Sequence, residues 1–270
     1  MIGAVAPRPI AFVSTVDENG NDNLAPYSFF NAFSSNPPIV VFSSNRRVSN
    51  NTTKDTLHNV EVNKELVVNM VSYNIVRQMS ISSAEYPTEV DEFLKSGLTK
   101  AQASIVRPKL VAESPVNMEC RVREIIPLGD QGGAGHLIIC DVLCLHIDEN
   151  VLDGDRIDPH KIDLMGRMGR TYYVRASGNA VSSIYQPVTD LPVGFDALPA
   201  YISGNPHLTG NQIALMAGLN TLPEAHEFEP ITEQHKSMDE AGFVQLISSY
   251  LSDNKIKEAY GLMVQYYERK

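Results

Sequence analysis

The segment from Asn23 to Pro38 constrains the fold more than any other part of the chain, because it is too polar for a core strand and too aromatic for a loop that only connects two elements. Short hydroxyl and amide side chains alternate in it with aromatic rings. A pocket for a flat, hydrogen-bonding heterocycle requires such a combination of apolar faces and a few fixed polar groups. The apolar run 39–42 follows directly and predicts a short buried strand, which would give this lining a rigid base.

Most of the chain before residue 176 is typical of a β protein with helical insertions. The run 10–16 is β-branched and aromatic, and an Asn-Gly turn signal follows it at 19–20, so we predict a hairpin that returns through residues 23–28. Further strands are predicted over 65–72, 116–122 and 136–147, and short helices over 74–83 and 89–96.

A helix is predicted over residues 54–60, with Thr52 or Thr53 as its cap. A helix start exposes free backbone N–H groups, and a lysine and a hydroxyl in the first turn would suit it to a phosphate monoester. From these residues alone, an ordinary capped helix is the favoured interpretation. His58 could assist at such a site or lie on the helix surface.

Three ordered motifs carry a resemblance to a known family: PRPIAFVST at 7–15, NLAPYSFFNAFSSNPP at 23–38 and KDTLHN at 54–59. Together they resemble the flavin reductase-like family of FMN-binding split barrels, over about residues 5–175. The resemblance implies a mainly β fold with α excursions, a Greek-key split β-barrel of six strands, and a homodimer with FMN at its interface. It also implies flavin reduction by NADH or NADPH.

The resemblance further implies which residues bind FMN. Ala25, Pro26, Tyr27, Ser28 and Asn31 would contact the ring, Ser43, Ser44 and Arg46 would follow the ribityl chain, Lys54, Asp55 and Thr56 would hold the phosphate, and Thr15 would add a contact. Arg8, fixed between two prolines, would face an anion such as the flavin phosphate of either subunit, or solvent. The rings of Phe29, Phe30 and Phe33 would pack in the core or line the pocket.

The chain is expected to divide into a flavin domain over residues 1–175 and an extension over 176–270. Prolines 187, 192 and 199 predict an extended strap, and helices are predicted over 210–219, 238–251 and 255–267. The last two helices have one apolar face each. We expect these faces to be buried on the barrel or on its dimer partner.

Composition excludes several classes of function. The formal net charge of −10 leaves no basic surface for a phosphate backbone, so no nucleic acid partner is expected. The sequence has no apolar run of about 18 residues and no basic leader followed by an apolar stretch, so we expect a cytoplasmic protein without membrane contact. Three cysteines at 120, 140 and 144 predict buried free thiols instead of a disulfide framework.

Other motifs favour structural roles. The glycine-rich segment 127–135 joins two predicted strands and lacks the ending of a phosphate-binding loop, so we predict a hairpin tip. The carboxylates at 153–158 lack the spacing of a calcium loop and predict a turn. The seven histidines show no metal-ligand spacing, and no nucleophile elbow is present, so neither a metal site nor a catalytic side chain is predicted.

Two functional hypotheses follow from the resemblance. The first is an FMN-dependent oxidoreductase, in which NADH or NADPH reduces the flavin and electrons pass to free flavin or to a partner such as a monooxygenase. Hydride transfer to a flavin needs stacking and orientation from the protein and no protein acid or base, which agrees with the absence of a catalytic pair. The second is a flavoredoxin-like electron carrier that does not oxidise NAD(P)H directly. A barrel that binds pyridoxal phosphate or haem is a third, non-flavin alternative.

Overall fold

The computed structural model describes residues 1–184 and 186–269. The chain forms two compact units, Met1–Ser182 and Ser183–Lys270. The sequence analysis placed this boundary after residue 175. The first unit contains all the strands and the motifs described above, and the second unit is helical.

The strands of the first unit are β1 (Ala11–Val16), β2 (Asp22–Tyr27), β3 (Phe30–Ser35), β4 (Pro38–Asn45), β5 (Glu65–Met70), β6 (Lys100–Ala101), β7 (Leu110–Val111), β8 (Val116–Pro127), β9 (Gly135–Ile147), β10 (Leu152–Asp153), β11 (Arg156–Ile157), β12 (Leu164–Gly169) and β13 (Tyr172–Ala176). Its helices are α1 (Asp55–Asn63), α2 (Val76–Ile81) and α3 (Glu92–Ser96). Every adjacent pair of strands is antiparallel. The mainly β fold with helical insertions is therefore confirmed.

The main sheet has seven strands in the order β2-β1-β5-β8-β9-β4-β3, so the expected count of six is wrong. The additional strand is β3, whose residues 31–35 are exposed. Their polarity led us to assign them to a loop, but an edge strand that pairs only with β4 can carry polar side chains on its open side. The expected hairpin of β1 and β2 is confirmed, with Ala11 opposite Tyr27.

The sheet curls so that its two edge strands meet, because β2 and β3 are consecutive in the chain and only Ser28 and Phe29 separate them. Successive side chains of β1 point to opposite sides of this curved sheet. Ala11 and Val13 belong to the cluster inside the curve, with Phe42 and Ile138. Phe12 packs on the other side against α2 and α3. Strand β1 is consequently buried along its whole length.

The second unit contains α4 (Ala200–Ser203), α5 (Gly210–Ala217), α6 (Glu233–Lys236), α7 (Glu240–Ser252) and α8 (Ile256–Tyr267). The predicted apolar faces of the last two helices meet in one cluster that includes Phe243, Ile247 and Met263, with residues of α4 and α5. We expected these faces to be buried on the barrel or on a partner. They are buried on one another, because α4, α5, α7 and α8 supply enough apolar surface for a core of their own.

No helix within the described residues is both long enough and apolar enough to cross a membrane.

Candidate functional site

The place where the sheet edges meet, which we call the seam, is formed by residues 27–30. Strand β2 ends at Tyr27 and β3 begins at Phe30, and the backbone N–H of Ser43 on β4 donates to the carbonyl of Phe29 at 2.8 Å. Tyr27 packs against Phe42 with the ring centroids 5.1 Å apart. Phe30 lies in the core, Phe29 is half-buried, and Phe33 is 68% exposed. The sequence did not decide whether these three phenylalanine rings pack in the core or line the pocket, and the structure gives each of them a different environment.

Helix α1 starts beside the seam because Leu57 and Val60 bury its inner face in the core of the curved sheet. Lys54 is its N-cap residue, and no side chain caps the helix. The predicted cap at Thr52 or Thr53 is wrong: the Arg47 guanidinium donates to the Thr52 hydroxyl at 3.0 Å and to the Thr53 carbonyl at 2.5 Å. The N–H groups of the first turn are left without a capping side chain, which is the arrangement that suits an anion.

A first cleft, which we call the anion cleft, lies at this helix start and is lined by Arg47, Lys54 and Thr56, with Asn23 and Ala25 on β2 and residues 82–86 after α2. The Lys54 ammonium lies 4.9 Å from the centre of the Tyr27 ring. Burial, and then the neighbouring positive charge of Arg47, lower the pKa of Lys54. Two cations held close together and partly desolvated disfavour each other, so a bound anion would stabilise both.

A polar network lies beneath the anion cleft and fixes its floor. The side-chain oxygen of Asn23 accepts from the Thr56 hydroxyl at 2.8 Å and from the Thr15 hydroxyl at 3.3 Å. Asn59 donates to Thr15 at 3.0 Å, and the backbone N–H of Leu24 donates to the Glu92 carboxylate at 3.0 Å. Burial raises the pKa of Glu92 and outweighs the effect of that hydrogen bond. Thr15 is fully buried in this network and reaches the cleft only through Asn23.

A second cleft, which we call the arginine cleft, includes Tyr27 in its wall and has a volume of about 320 Å³. Its walls come from residues 26–29 at the seam, from Arg8 and Ile10, and from the β12–β13 hairpin through Arg167, Arg170 and Tyr173. Ser83 borders both clefts. Both clefts therefore border β2 and share one wall residue.

Buried polar atoms without a hydrogen-bond partner are concentrated around these clefts. Among the described residues there are five such side-chain atoms, and four of them belong to Arg8, Tyr27, Ser44 and Arg47. The Arg47 Nε lies 3.3 Å from a carboxylate oxygen of Glu85 but does not form a hydrogen bond with it. Burial raises the pKa of Tyr27 to about 12, so its hydroxyl stays protonated and able to donate. Buried polar groups in native proteins usually have partners, so the residues present fit a polar, anionic ligand such as FMN.

Seven of the predicted site residues line one of the two clefts, and the other five line neither. Ala25, Lys54, Asp55 and Thr56 line the anion cleft, and Pro26, Tyr27 and Ser28 line the arginine cleft. Thr15, Asn31, Ser43, Ser44 and Arg46 line neither cleft. Of these, Asn31 is exposed on β3, Ser43 donates to Asn45 at 2.9 Å, and Arg46 holds Asn51 through two hydrogen bonds of 2.7 and 2.6 Å.

Sequence reasoning missed Arg47, which reaches the anion cleft from the position after Arg46. The side chains of two adjacent residues in an irregular loop have no fixed alternation, so the sequence carries no signal that distinguishes them. The β8–β9 hairpin tip, which confirms the prediction for 127–135, helps to fix this loop. A Cβ at Gly132 would lie 3.2 Å from the carbonyl oxygen of Arg47 and from two backbone atoms of Val48, so only glycine allows so close an approach. His58 is exposed on α1 and lines neither cleft.

A cluster of metal-ligand side chain types lies elsewhere in the first unit. Atoms of Glu119 on β8 and of Cys144 and His146 on β9 lie within 4.8 Å of one another. The Glu119 carboxylate already accepts from the backbone N–H groups of residues 104–106 and lies 2.6 Å from His146 Nε2. Burial alone would raise the pKa of Glu119, but these hydrogen bonds outweigh it and lower the pKa to about 2. Because its acceptor positions are used, we assign the cluster a structural role.

Comparisons with known proteins place the site in context. A family model described as "Flavin reductase like domain" matches residues 3–163, which lie within the first unit. An uncharacterized protein of Aquifex aeolicus is 38% identical over 179 residues, covering 66% of this chain and 89% of that protein. The structure of nitrilotriacetate monooxygenase component B from Bacillus cereus is similar with a TM-score of 0.62 and 28% identity, covering 68% of this chain and 89% of that chain. The 2-nitrobenzoate 2-nitroreductase NbaA of Pseudomonas fluorescens is similar with a TM-score of 0.62 and 25% identity, covering 72% and 91%.

Proposed function

Because the chain belongs to the flavin reductase-like domain family, we propose that it is an FMN-binding oxidoreductase that takes electrons from NADH or NADPH and passes them to flavin or to a partner protein. The observation that carries the proposal is the anion cleft at the uncapped start of α1. Lys54 and Arg47 supply two cations there, and the helix start supplies free N–H groups. Such a site is suited to the terminal phosphate of FMN.

The ring of the cofactor would lie along the end of β2, where Tyr27 and Ser44 carry buried hydroxyls without partners. Pro26 and Ser28 line the same edge of the sheet. When bound, FMN supplies the electron-transfer chemistry, and the protein supplies binding, orientation and electrostatics. The chain's own residues would accordingly hold the phosphate, support one face of the ring and keep the seam closed around it. No acid or base from the protein is required for the hydride step.

A homodimer is the assembly that we propose. Strand β3 pairs with β4 on one side only, and its residues 31–35 are exposed on the open edge, including Phe33 at 68% exposure. An exposed edge strand that carries an aromatic side chain favours pairing with another chain. Light scattering after size-exclusion chromatography tests this: we expect twice the chain mass of 29.8 kDa, and a Phe33→Glu variant that is shifted toward monomer.

The acceptor of the electrons is part of the same proposal. One structural neighbour is a component of a monooxygenase, which supports a partner oxygenase or free flavin as the acceptor for this chain. An acceptor protein would have to approach the clefts at the seam, since electrons leave from the bound ring.

Two measurements on purified protein test the proposed function. The first is the visible spectrum after incubation with FMN and removal of free flavin, for which we expect about one flavin per chain. The second is anaerobic stopped-flow mixing with NADH and with NADPH, for which we expect bleaching of the flavin absorbance. Absence of bound flavin would refute the cofactor assignment. Bound flavin that neither nucleotide bleaches, but that dithionite does, would instead support an electron carrier of the flavoredoxin type.

A further inference from the structure

The arginine cleft concentrates positive charge beside aromatic surface. Arg8, Arg167 and Arg170 all contribute to its walls, together with the rings of Phe29 and Tyr173. The Arg8 guanidinium carbon lies 5.5 Å from the centre of the Phe29 ring, and that of Arg167 lies 4.6 Å from the centre of the Tyr173 ring. Aromatic walls with guanidinium groups over them are suited to a flat ring that carries negative charge.

The charge of these arginines is not balanced by the protein. Within the described ranges 1–184 and 186–269, none of the three has a carboxylate oxygen within 4.0 Å of its guanidinium nitrogens, and no acidic side chain lines the cleft. Arginines elsewhere in the first unit do form ion pairs, such as Arg123 with Asp141 and Arg175 with Asp163. The cleft therefore carries a net positive charge on a chain whose formal net charge is −10.

Arg8 adds an independent observation. It is only 7% exposed, it borders the cleft, and its Nε has no hydrogen-bond partner among the described residues. A buried donor without a partner destabilises the folded protein unless a ligand accepts from it. The nearly complete burial of this side chain also separates it from ordinary surface arginines, which hydrate freely.

The guanidinium groups of Arg8 and Arg167 are held in place by hydrogen bonds before any ligand binds. Arg8 donates from one terminal nitrogen to the carbonyls of Ile2 and Val5, at 2.6 and 2.5 Å. Arg167 donates to the Tyr173 hydroxyl and to the carbonyl of Arg170. The backbones of Arg8 and Arg167 are joined by two hydrogen bonds of 3.0 and 2.8 Å. This fixation lowers the conformational entropy that binding would otherwise cost.

We propose that the arginine cleft is the binding site for the second substrate of the flavin reaction, and that it selects a planar aromatic molecule bearing a carboxylate or phosphate group. The inference rests on the proposed function, because the ring of that molecule would lie next to the flavin ring at the seam. Two sources share this chemistry: the nicotinamide dinucleotides as electron donors, and aromatic carboxylates as electron acceptors. The charge of the ligand is what the arginines recognise in both cases.

The test begins with full-length protein loaded with FMN, whose flavin content is measured before any titration. Benzoate and its neutral analogue benzamide are then titrated, followed separately by NADP⁺ and NAD⁺, which cannot reduce the flavin. Binding is followed by the change in the flavin absorption spectrum and by calorimetry. The variants are Arg8→Gln, Arg8→Lys and Arg170→Asn, with Arg156→Gln as the matched control because Arg156 is exposed and lines neither cleft.

We expect at least one anionic probe to bind at least tenfold more tightly than its neutral or less charged analogue. Its affinity should fall about tenfold or more in Arg8→Gln and in Arg170→Asn, as expected for a lost hydrogen bond to a charged group, and be unchanged in Arg156→Gln. Arg8→Lys should recover part of the affinity. Benzamide binding should not change in any variant. An effect on benzoate alone would identify an aromatic acceptor, and an effect on NADP⁺ alone a dinucleotide donor.

Three results would overturn the inference while leaving the proposed function intact. In the first, the unmodified protein has normal flavin content but binds charged and neutral probes with equal affinity. In the second, none of the cleft variants alters the affinity for any probe. In the third, Arg8→Gln loses FMN itself. The last result would place the flavin phosphate at Arg8. Arg170→Asn is included because it should fold normally even if Arg8→Gln does not. The Arg170 side chain is exposed, and asparagine tolerates the positive φ of 49° at this position. Failure to bind FMN in the unmodified protein would instead refute the proposed function.

Discussion

Replacement of Lys54 by methionine should separate ligand binding from folding. The ammonium lies at the uncapped start of α1 and shares the anion cleft with Arg47. A hydrogen bond to a charged group contributes about 1.5–3 kcal/mol, so Lys54→Met should weaken FMN binding roughly 10-fold to 150-fold. Methionine keeps the length and apolar stem of lysine, so the change removes the charge with little loss of packing.

The free protein should barely respond to the same change. Loss of the contact with the Tyr27 ring costs about 0.5–1 kcal/mol. Removal of a partly buried cation beside Arg47 acts in the opposite direction, because it relieves the cost that lowers the pKa of Lys54. We therefore expect the free energy of unfolding without FMN to change by less than about 1 kcal/mol. Urea unfolding of the flavin-free protein measures this quantity.

The dependence of affinity on pH gives an independent check. In the free protein the pKa of Lys54 is lowered, and a bound phosphate would raise it again. A group whose pKa is higher in the complex takes up a proton on binding. The affinity for FMN should therefore be constant below the lowered pKa and fall as the pH rises through it, and Lys54→Met should abolish this fall.

The assay is fluorescence quenching of FMN over a range of alkaline pH, with Lys257→Met as the control because Lys257 is an exposed lysine of the second unit. The control should bind FMN like the unmodified protein. The reasoning is refuted if Lys54→Met unfolds the flavin-free protein while the folded fraction retains full affinity, since the lysine would then be a structural residue. Equal affinities of Lys54→Met and the control would refute it as well.

Three further predictions concern the rest of the chain. Glu119→Gln should lower the free energy of unfolding by about 3 kcal/mol at pH 7, because the pKa of this carboxyl is about 2 in the folded state and 4.5 for the ordinary group. This contribution to stability is present above pH 4.5 and is lost as the pH falls toward 2. The urea midpoints at pH 7 and pH 3 should therefore differ less in the variant than in the unmodified protein. Gly132→Ala should displace the loop that carries Arg47 and weaken FMN binding several-fold, whereas Gly210→Ala, where no atom lies within 4 Å of the added Cβ, should have no effect in the same titration. A fragment that ends at Ser182 should fold and bind FMN with unchanged affinity, because the first unit is compact and has hydrophobic clusters of its own. Aggregation of the fragment, or loss of its flavin, would contradict this.

The sequence predicted the parts of the fold that depend on local pattern. Alternating and β-branched runs located β1, β5, β8 and β9, and the Asn-Gly signal located the first hairpin. Strand β3 was missed because its residues after Phe30 are exposed, so they carry no apolar periodicity. The pairing with β4 that makes it a strand is set by tertiary structure and not by the composition of the segment.

The candidate site was predictable to the extent that the motifs are contiguous. The stretch 25–28 and the group 54–56 line the clefts because each is anchored by a regular element, the end of β2 and the start of α1. Arg47 lies in an irregular loop whose course depends on the β8–β9 hairpin, far away in sequence. Arg167 and Arg170 were not predicted as site residues, because only the bridge between Arg8 and Arg167 brings the last hairpin to this place.

The separate core of the second unit has a consequence for how this protein can vary. Buried apolar residues of α4, α5, α7 and α8 pack on one another in a single cluster, so this unit has a hydrophobic core of its own. A unit with a hydrophobic core of its own is the kind of module that a single gene rearrangement attaches, exchanges or removes.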